Sequence, residues 1–508
     1  MINFYDIVWG TGVGIAAPYW FLKPAAREKV FKAFRQRMGR DIPKREGDAP
    51  CIMIHAVSLG EMNATRTLVE RLREMRPGVQ FFISSTTDTG FERGKELYVA
   101  AGDVELIKYP LDFSGAIARV LEAVRPDVVV LMELEVWPNF VKRCEERGIP
   151  VVLANGRLTE SSFRKYKRGG PIVRKMFRRL TLICAQDDAY GVRFLELGVP
   201  HHHVVITGTM KFDNAIVGAP PSGYLKAMHL GVRVGLEQIW VCGSTGPGEE
   251  EIVLRVYRKL LPRHSRLRLI IVPRHPQRFD EVNNLIYDHK FECVRYSDME
   301  QNGPIPARDV PVPPVILVDA MGVLRDFYSV ATIVFVGRSL VDLGTRQHGS
   351  DMIEPAALGK AVVVGPYTTN FADAMLKFRA ARAMYEVSDE AALEETVGVL
   401  LSTPAEVKEL GQKAMDVVRR EQGATMRHAR VIFQILCTKR GEEFQRPATP
   451  QGAPAISTLQ AHVPPPPIDV SPPPPAAPDT FAGGIPGVAP DAVTESPTWL
   501  VIRPIRKP

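Results

Sequence analysis

Three glutamates stand where apolar stretches of the chain give way to amphipathic ones. Glu61 closes "SLGE" (58 to 61), directly behind Gly60, while Glu133 and Glu135 belong to "ELEVWPN" (133 to 139). A carboxylate that lies next to a substrate hydroxyl accepts its proton, which is the chemistry of a general base. These three residues are therefore candidates for acid–base catalysis.

Each acidic motif also has a purely structural interpretation. Gly60 permits a tight turn from strand to helix, and the N-terminus of the helix that follows favours an ionised Glu61. The alternative is that Glu61 only satisfies the first turn of that helix. In "ELEVWPN", Pro138 predicts a helix start, so the two acids before it are either functional or one capping acid and one surface acid.

Positive charge is concentrated between Arg157 and Leu180, where nine lysines and arginines accompany the single acid Glu160. Apolar residues interleave with these cations. We expect the apolar side chains to insert into an apolar phase while the cations bind phosphates. A solvated helix face is the alternative, and no nucleic-acid motif is present. The predicted acceptor-facing or membrane-facing cations are Arg157, Arg164, Lys165, Lys167, Arg168, Arg174, Lys175, Arg178 and Arg179, and the apolar residues are Phe163, Tyr166, Ile172, Met176 and Phe177.

The second half of the chain contains four loops that suit a phosphate. They are "GSTGPGEE" (243 to 250), "PRHPQRF" (273 to 279), "GRSL" (337 to 340) and the start of "SDMIEPAALGKAVVVGP" (350 to 366), where Glu354 and Pro355 open a helix. Backbone amides at helix N-termini hold phosphate without a metal, and a nearby carboxylate binds ribose hydroxyls. Four such loops together indicate a nucleotide donor.

Two successive α/β units position these motifs. From about residue 50, β-branched apolar runs such as "CIMIHAV" and "DVVVLM" alternate with helical stretches, and the pattern restarts with "IWVCGS" after residue 236. Continuous apolar runs separated by helices predict parallel sheets covered on both faces. We therefore expect two doubly wound domains facing a cleft, with the motifs in loops at the carboxyl ends of the strands.

The two ends of the chain differ from this middle. Residues 1 to 30 are largely apolar and are followed by basic residues, so we expect a membrane-proximal segment with the globular part on the cytoplasmic side. Packing onto the protein is the alternative for this segment. Residues 446 to 508 hold 17 of the 42 prolines, a composition that predicts a disordered tail.

Overall composition narrows the class of protein. The 508 residues are 45% hydrophobic and 24% charged, with a formal net charge of +7, which fits a multidomain globular protein with an acidic partner. The six cysteines lie far apart without a CxxC pair. We interpret them as small buried residues of a reducing compartment, which excludes a disulfide or zinc framework.

The ordered motifs "HAVSLGE", "STTDTG", "ELEVWPN", "GRLTESS", "GTMKFD", "GST", "PRHPQRF", "FVGRSL" and "IEPAALGK" resemble the 3-deoxy-D-manno-octulosonic acid (Kdo) transferases of lipopolysaccharide biosynthesis. The resemblance runs from about residue 30 to about residue 435. It implies an inverting GT-B glycosyltransferase that moves Kdo from CMP-Kdo to a lipid A precursor at the cytoplasmic side of the bacterial inner membrane. Residues 31 to 215 would bind the acceptor, and residues 216 to 436, including the C-terminal helices, would bind CMP-Kdo.

The resemblance also implies roles for individual residues. Glu61 would be the general base, and Glu135 would shape the junction of acceptor and donor. No cofactor and no catalytic metal are expected, because CMP leaves with a single phosphate that arginines and helix amides can hold. The residues expected to bind CMP-Kdo are Lys211, Ser244, Arg274, His275, Ser339, Ser350 and Glu354.

Two departures from the family pattern bear on the donor site. Gly246 stands where members of the family often have histidine, and the loop "GTRQHGSD" (344 to 351) is longer than the usual one, so His348 or Asp351 is expected to replace an asparagine. Other interpretations stay open on the residues alone: a UDP-sugar transferase, a sugar epimerase, or a lipid A binding protein without catalysis.

Overall fold

The first domain is built on a seven-stranded parallel sheet. In this computed structural model, residues 5–7, 11, 34–98, 102–218, 222–308, 310–344 and 347–443 are described. The strand order is β3-β2-β1-β4-β5-β6-β7, so the winding reverses between β1 and β4. The strands are β1 (Cys51–His55), β2 (Gln80–Ser85), β3 (Val104–Lys108), β4 (Val128–Met132), β5 (Val151–Gly156), β6 (Leu182–Ala185) and β7 (Val204–Ile206).

Helices cover both faces of this sheet, which explains why β1 and β4 are buried along their whole length. One core cluster lies on each face. The helices are α1 (Leu59–Met75), α2 (Asp88–Tyr98), α3 (Ser114–Val124), α4 (Pro138–Glu146), α5 (Glu160–Arg168), α6 (Gly170–Phe177) and α7 (Asp188–Glu196), with 3₁₀ turns at His201–His203 and Met210–Asn214.

The second domain repeats the plan with another seven-stranded parallel sheet. Its order is β10-β11-β9-β8-β12-β13-β14, and the winding reverses between β8 and β12. The strands are β8 (Gln238–Thr245), β9 (Leu267–Pro273), β10 (Cys293–Arg295), β11 (Val315–Leu317), β12 (Ile333–Val336), β13 (Ala361–Val364) and β14 (Tyr385–Glu386).

Helices flank this second sheet as well, and the predicted pair of doubly wound α/β domains, the GT-B plan, is confirmed. The helices are α8 (Ser222–His229), α9 (Glu249–Leu260), α10 (Phe279–Asp288), α11 (Tyr296–Asn302), α12 (Leu324–Val330), α13 (Ile353–Ala357), α14 (Ala372–Ala380), α15 (Glu390–Ser402), α16 (Pro404–Glu421) and α17 (Ala424–Arg440), with 3₁₀ turns at Pro276–Arg278 and Thr369–Phe371.

Helix α17 departs from the predicted boundary at residue 436, because it packs against the first domain. Its apolar residues join the core cluster that contains Ile52 and Leu68. The buried His428 accepts a hydrogen bond from the backbone amide of Asn155 at 2.9 Å through Nε2. The second domain therefore ends with α16, and α17 completes the first domain.

Little of the N-terminal segment falls within the described residues. Asp6 is buried, and its Oδ1 accepts hydrogen bonds from Ser114 N at 2.9 Å and from Asn139 Nδ2 at 2.8 Å. This part of the segment thus packs on the first domain. Within the described ranges, no helix has the length and apolar character to cross a bilayer. The predicted disordered tail, 446 to 508, lies outside the described residues.

Candidate active site

Glu61 lies in the first turn of α1, immediately beyond β1. Its carboxylate accepts hydrogen bonds from Val57 N at 2.9 Å and Ser58 Oγ at 2.8 Å, while its own amide donates to Ser58 Oγ at 3.2 Å. This is a capping box, so the structural interpretation of Glu61 is correct. Gly60 is helical, and a Cβ there would meet only Ser58 Oγ, at 3.9 Å. The turn is therefore stabilised by the side chain of Ser58, and the expectation that it requires Gly60 is wrong.

The pKa of Glu61 is raised above its ordinary value. Burial, followed by the charge of Glu133, raises the pKa of Glu61 to about 7, although the hydrogen bonds from Val57 and Ser58 act in the opposite direction. The expected dominance of the helix N-terminus in keeping Glu61 ionised is therefore wrong, because desolvation outweighs it. A carboxylate with a pKa near 7 accepts a proton effectively at neutral pH.

Glu133 and Glu135 lie beside Glu61 at the end of β4. Glu133 adopts a left-handed conformation with φ 55°, held by hydrogen bonds between Glu133 N and Ala154 O at 2.9 Å and between Arg157 N and Glu133 O at 3.3 Å. Glu135 accepts from Trp137 Nε1 at 3.1 Å, and burial and then the charge of Glu133 raise its pKa. The reversal of winding in the first sheet thus gathers three carboxylates, as predicted.

Cations occupy the corresponding place in the second sheet. Burial and the charge of Arg274 lower the pKa of Arg338, and burial followed by the charges of Arg338, Arg274 and Arg278 lowers the pKa of His275. These side chains therefore lie close together at the ends of β9 and β12, an arrangement that attracts an anion. Among the described residues, no group of His, Cys, Asp and Glu side chains has the geometry of a metal site.

Glu354 lies in the first turn of α13, which follows the loop after β12. Burial, followed by the charge of Asp351, raises the pKa of Glu354 to about 7. The charge of Arg325 acts in the opposite direction and lowers this pKa. The expected contact of Glu354 with a ribose stays a prediction.

Polar side chains of the first domain reach the second one. Arg157 Nε lies 3.0 Å from Asp373 Oδ2, and the hydroxyl of Tyr190 hydrogen-bonds to the same carboxylate. Lys211 Nζ donates to Asn370 O at 3.2 Å. Arg157 therefore lies between the domains, paired with Asp373 at the start of α14, and not on the exposed surface of α5 and α6 that was expected to face a membrane. Its contact with the acceptor stays a prediction.

Residues 32–214 match the family model described as 3-Deoxy-D-manno-octulosonic-acid transferase (kdotransferase). The 3-deoxy-D-manno-octulosonic acid transferase of Haemophilus influenzae is 34% identical over 75% of this chain and 87% of its own length. The enzyme of the same name from Bordetella pertussis is 32% identical over 74% and 85%, respectively. The chain belongs to the Kdo transferase family. It is a glycosyltransferase.

A solved structure is also similar. The C-terminal CMP-Kdo binding domain of WaaA from Acinetobacter baumannii is 28% identical, and the alignment covers 39% of this chain and 97% of that domain with a TM-score of 0.35.

Two of the serines expected to bind the donor of this Kdo transferase are enclosed by protein. Ser339 is fully buried; its Oγ donates to Val336 O at 2.5 Å and accepts from Gly365 N at 2.8 Å. Ser350 donates to Ser244 O at 3.4 Å and is also buried. The predicted ligand contacts of Ser339 and Ser350 are replaced by contacts between loops, since each hydroxyl is used to pack one loop on another.

Glu249 is a residue of the Kdo transferase site that sequence reasoning missed. Its carboxylate accepts hydrogen bonds from the backbone amides of Gly246, Arg338, Ser339 and Leu340, at 2.6 to 2.9 Å. One amide of "GSTG", that of Gly246, and three amides of "GRSL" are therefore occupied and do not hold a phosphate. The signal in the sequence is the run of three glutamates that opens α9, directly behind the glycine-rich turn.

The two departures from the family pattern meet within the same loops. A Cβ on Gly246 would lie 2.6 Å from Leu343 Cδ1 and 3.1 Å from Arg338 Cγ, so the absent side chain leaves room for Leu343 of the longer loop. His348 is buried, and its Nε2 lies 2.7 Å from Asp342 Oδ1. Neither His348 nor Asp351 has a demonstrated role as a substitute for asparagine, which stays a prediction.

The basic helices α5 and α6 of the Kdo transferase form a surface of their own. The apolar residues of this segment were expected to insert into an apolar phase. This is wrong for Phe163, Met176 and Phe177, which are buried in a core cluster of the first domain. Of the five apolar residues, only Ile172 is largely exposed, at 73%. The cations point outwards, as on an amphipathic helix, except the half-buried Arg157 and Arg179. A hollow of about 670 Å³ lies here, lined in part by Lys167, Arg174, Lys175 and Arg178.

Proposed function

We propose that this protein transfers Kdo from CMP-Kdo to a lipid A precursor, with inversion at the anomeric carbon. The observation that carries the proposal is the group of carboxylates, Glu61 with Glu133 and Glu135, at the point where the first sheet reverses its winding, where burial raises the pKa of Glu61. Membership of the family supports Kdo as the transferred sugar. The cationic group of Arg274, Arg338 and His275 supports a phosphate-bearing donor in the second domain.

The chemistry needs one displacement. The acceptor hydroxyl oxygen attacks the anomeric carbon of Kdo, and Glu61 takes the hydroxyl proton as the new carbon–oxygen bond forms. The bond from that carbon to the CMP phosphate breaks, and the electron pair leaves with CMP. Arg274 and Arg338 stabilise the charge of the departing phosphate, and Glu354 binds the ribose hydroxyls. A single attack from the face opposite CMP inverts the anomeric configuration.

For the acceptor we propose docking at a membrane surface through α5 and α6, on the cytoplasmic side of the inner membrane. The exposed cations there suit the phosphates of a lipid A precursor and of anionic lipids. The hollow between the helices is large enough for a headgroup. Exposed Ile172 supplies an apolar contact at the same surface.

The transfer is tested by incubating the full chain with CMP-Kdo and a lipid A precursor. Mass spectrometry of the lipid should show added Kdo, and NMR should show the anomeric configuration opposite to that of CMP-Kdo. Retention of configuration would contradict the single displacement. Turnover of UDP-N-acetylglucosamine with none of CMP-Kdo would instead favour a UDP-sugar transferase or an epimerase.

The membrane surface is tested with vesicles of phosphatidylethanolamine and phosphatidylglycerol. Serine replacements at Lys165, Arg168, Lys175 and Arg178 should weaken binding, and the residual affinity should depend less on salt. The matched control removes equal charge from α16, at Lys408, Lys413, Arg419 and Arg420. If both sets weaken binding equally, net charge and not this surface is responsible.

A further inference from the structure

Glu249 connects two loops that no strand ladder joins at this point. The side chain is fully buried, and the hydrogen bond from Gly246 N at 2.8 Å ties it to the loop after β8. Three further bonds tie it to the loop after β12, from Arg338 N at 2.6 Å, Ser339 N at 2.8 Å and Leu340 N at 2.9 Å. Oε2 of Glu249 is thus shared between Gly246 N and Arg338 N, on either side of the winding reversal, while Oε1 accepts from Ser339 N and Leu340 N.

The conformation of Arg338 explains what this carboxylate maintains. Arg338 has φ 60°, a left-handed conformation that is strained for a residue with a Cβ. The shortest of the four hydrogen bonds of Glu249 is the one to Arg338 N. The guanidinium of Arg338 donates through Nε to Gln347 O at 3.1 Å and lies near Arg274 and His275. Glu249 therefore stabilises a backbone conformation that keeps this guanidinium among the cations.

The neighbouring glutamates of α9 have different partners. Glu250 is also buried, and its carboxylate accepts hydrogen bonds from both terminal nitrogens of Arg278, at 2.6 and 3.1 Å. These bonds anchor the loop after β9. Glu251 is exposed and pairs with Arg255 one helical turn away at 2.7 Å. Three consecutive acids of one helix thus provide a positioning candidate and a matched surface control.

We propose that Glu249 is a positioning residue for the donor phosphate. It acts through Arg338, by holding the two loops so that the guanidinium of Arg338 faces the phosphate, and it does not touch the ligand. The inference rests on the proposed function only in taking the donor to be a nucleotide with a phosphate. Since the carboxylate acts before any chemistry, its loss should weaken donor binding and leave acceptor binding unchanged.

The test measures CMP binding to the full chain by calorimetry, for Glu249→Gln and for the control Glu251→Gln. A glutamine turns an NH₂ towards two backbone amides, so we expect the Kd for CMP to rise about tenfold or more in Glu249→Gln. The control should bind as the wild type does. In turnover, the donor KM should rise while kcat and the acceptor KM stay within about threefold. Equal Kd values for both variants would overturn the proposal.

A double-mutant cycle with Arg338→Ala separates positioning from general loosening of the fold. If Glu249 acts through Arg338, Glu249→Gln should cause less than about a twofold further loss of CMP affinity in the Arg338→Ala background. A full additive loss would overturn the proposal. Glu249→Asp replaces the glutamine variant in the cycle if circular dichroism shows that the latter is unfolded. If the wild type binds UDP but not CMP, the proposed donor fails, and the same cycle run with UDP still decides the role of Glu249.

Discussion

The two sheets reverse their winding in the same way, yet the loops at the two reversals carry opposite charge. Between β1 and β4, the loops present Glu61, Glu133 and Glu135. Between β8 and β12, the neighbouring loops present Arg274, Arg338 and His275. A common topology therefore creates the crevice, and the side chains at the strand ends decide whether it attracts a proton or a phosphate.

The two regions also use buried carboxylates differently. Glu61 caps α1 but remains partly accessible, with a pKa of about 7. Glu249 is fully buried and all four of its hydrogen bonds go to backbone amides. Accessibility, and not the number of hydrogen bonds, separates a catalytic candidate from a positioning one.

The largest expected effect comes from removing the proposed base on the acidic side. Glu61→Gln keeps a hydrogen-bonding side chain but cannot accept a proton, so we expect kcat to fall about 10²- to 10⁴-fold. In the wild type, kcat/KM should rise with pH through about 7, since only ionised Glu61 is active. Steady-state rates measured between pH 5.5 and 8.5 test both expectations.

A matched control for this substitution lies on the same helix. Glu70 is exposed and pairs with Arg66 at 3.1 Å, so Glu70→Gln should leave both kcat and the pH profile unchanged. Near-normal turnover by a folded Glu61→Gln variant would show that another group takes the proton.

The architecture and the acidic region could be predicted because both depend on local pattern. Continuous apolar runs predicted the parallel strands, and "ELEVWPN" predicted the helix start that is observed at Pro138. The carboxyl ends of parallel strands converge, which brought Glu61 to Glu133 without any knowledge of contacts. The raised pKa of Glu61 was not predictable, because it depends on how deeply the carboxylate is buried.

Other features depend on contacts between distant parts of the chain. The pairing of Arg157 with Asp373 links residues of different domains, and α17 returns to the first domain after α16. Glu249 meets the amide of Leu340 although 91 positions separate them in sequence. The spacing of apolar residues and the composition contain no information on such pairings, so the position of Arg157 between the domains was not predicted from its charge.

On the cationic side, a smaller loss is expected from Arg274→Gln. Removing one of several cations should raise the donor KM about 10- to 100-fold, because a charge-assisted contact to phosphate is lost. The acceptor KM should not change. Arg266→Gln provides a control before β9, at the opposite end of the strand, and initial-rate measurements with either substrate varied separate the two constants. A change confined to the acceptor KM would place Arg274 in the other half of the site.

The mutual influence of the acids predicts a shift in pH and not a loss of activity. Glu133→Gln removes the negative charge that, after burial, contributes most to raising the pKa of Glu61. The pKa of Glu61 should then fall below 7, so the rise in kcat/KM should begin at lower pH. Glu135→Gln should cause a smaller shift of the same sign, since its charge contributes less. An upward shift, or a larger shift for Glu135→Gln, would contradict this order of influence.

The smallest effect is expected where the two regions are joined. Asp373→Asn weakens the attraction to Arg157 but keeps a partner for the hydroxyl of Tyr190, so the domains lose one ion pair and not their whole contact. We expect the KM for donor and acceptor to change together, by about threefold or less, because both substrates need the domains in contact. The exposed Asp416 offers a control, since Asp416→Asn removes the same charge from α16. If Asp373→Asn altered only one of the two constants, the ion pair would belong to one substrate site. An effect shared equally by both constants, and absent from the control, would instead show that the acidic and cationic regions act on their substrates only when Arg157 and Asp373 hold them together.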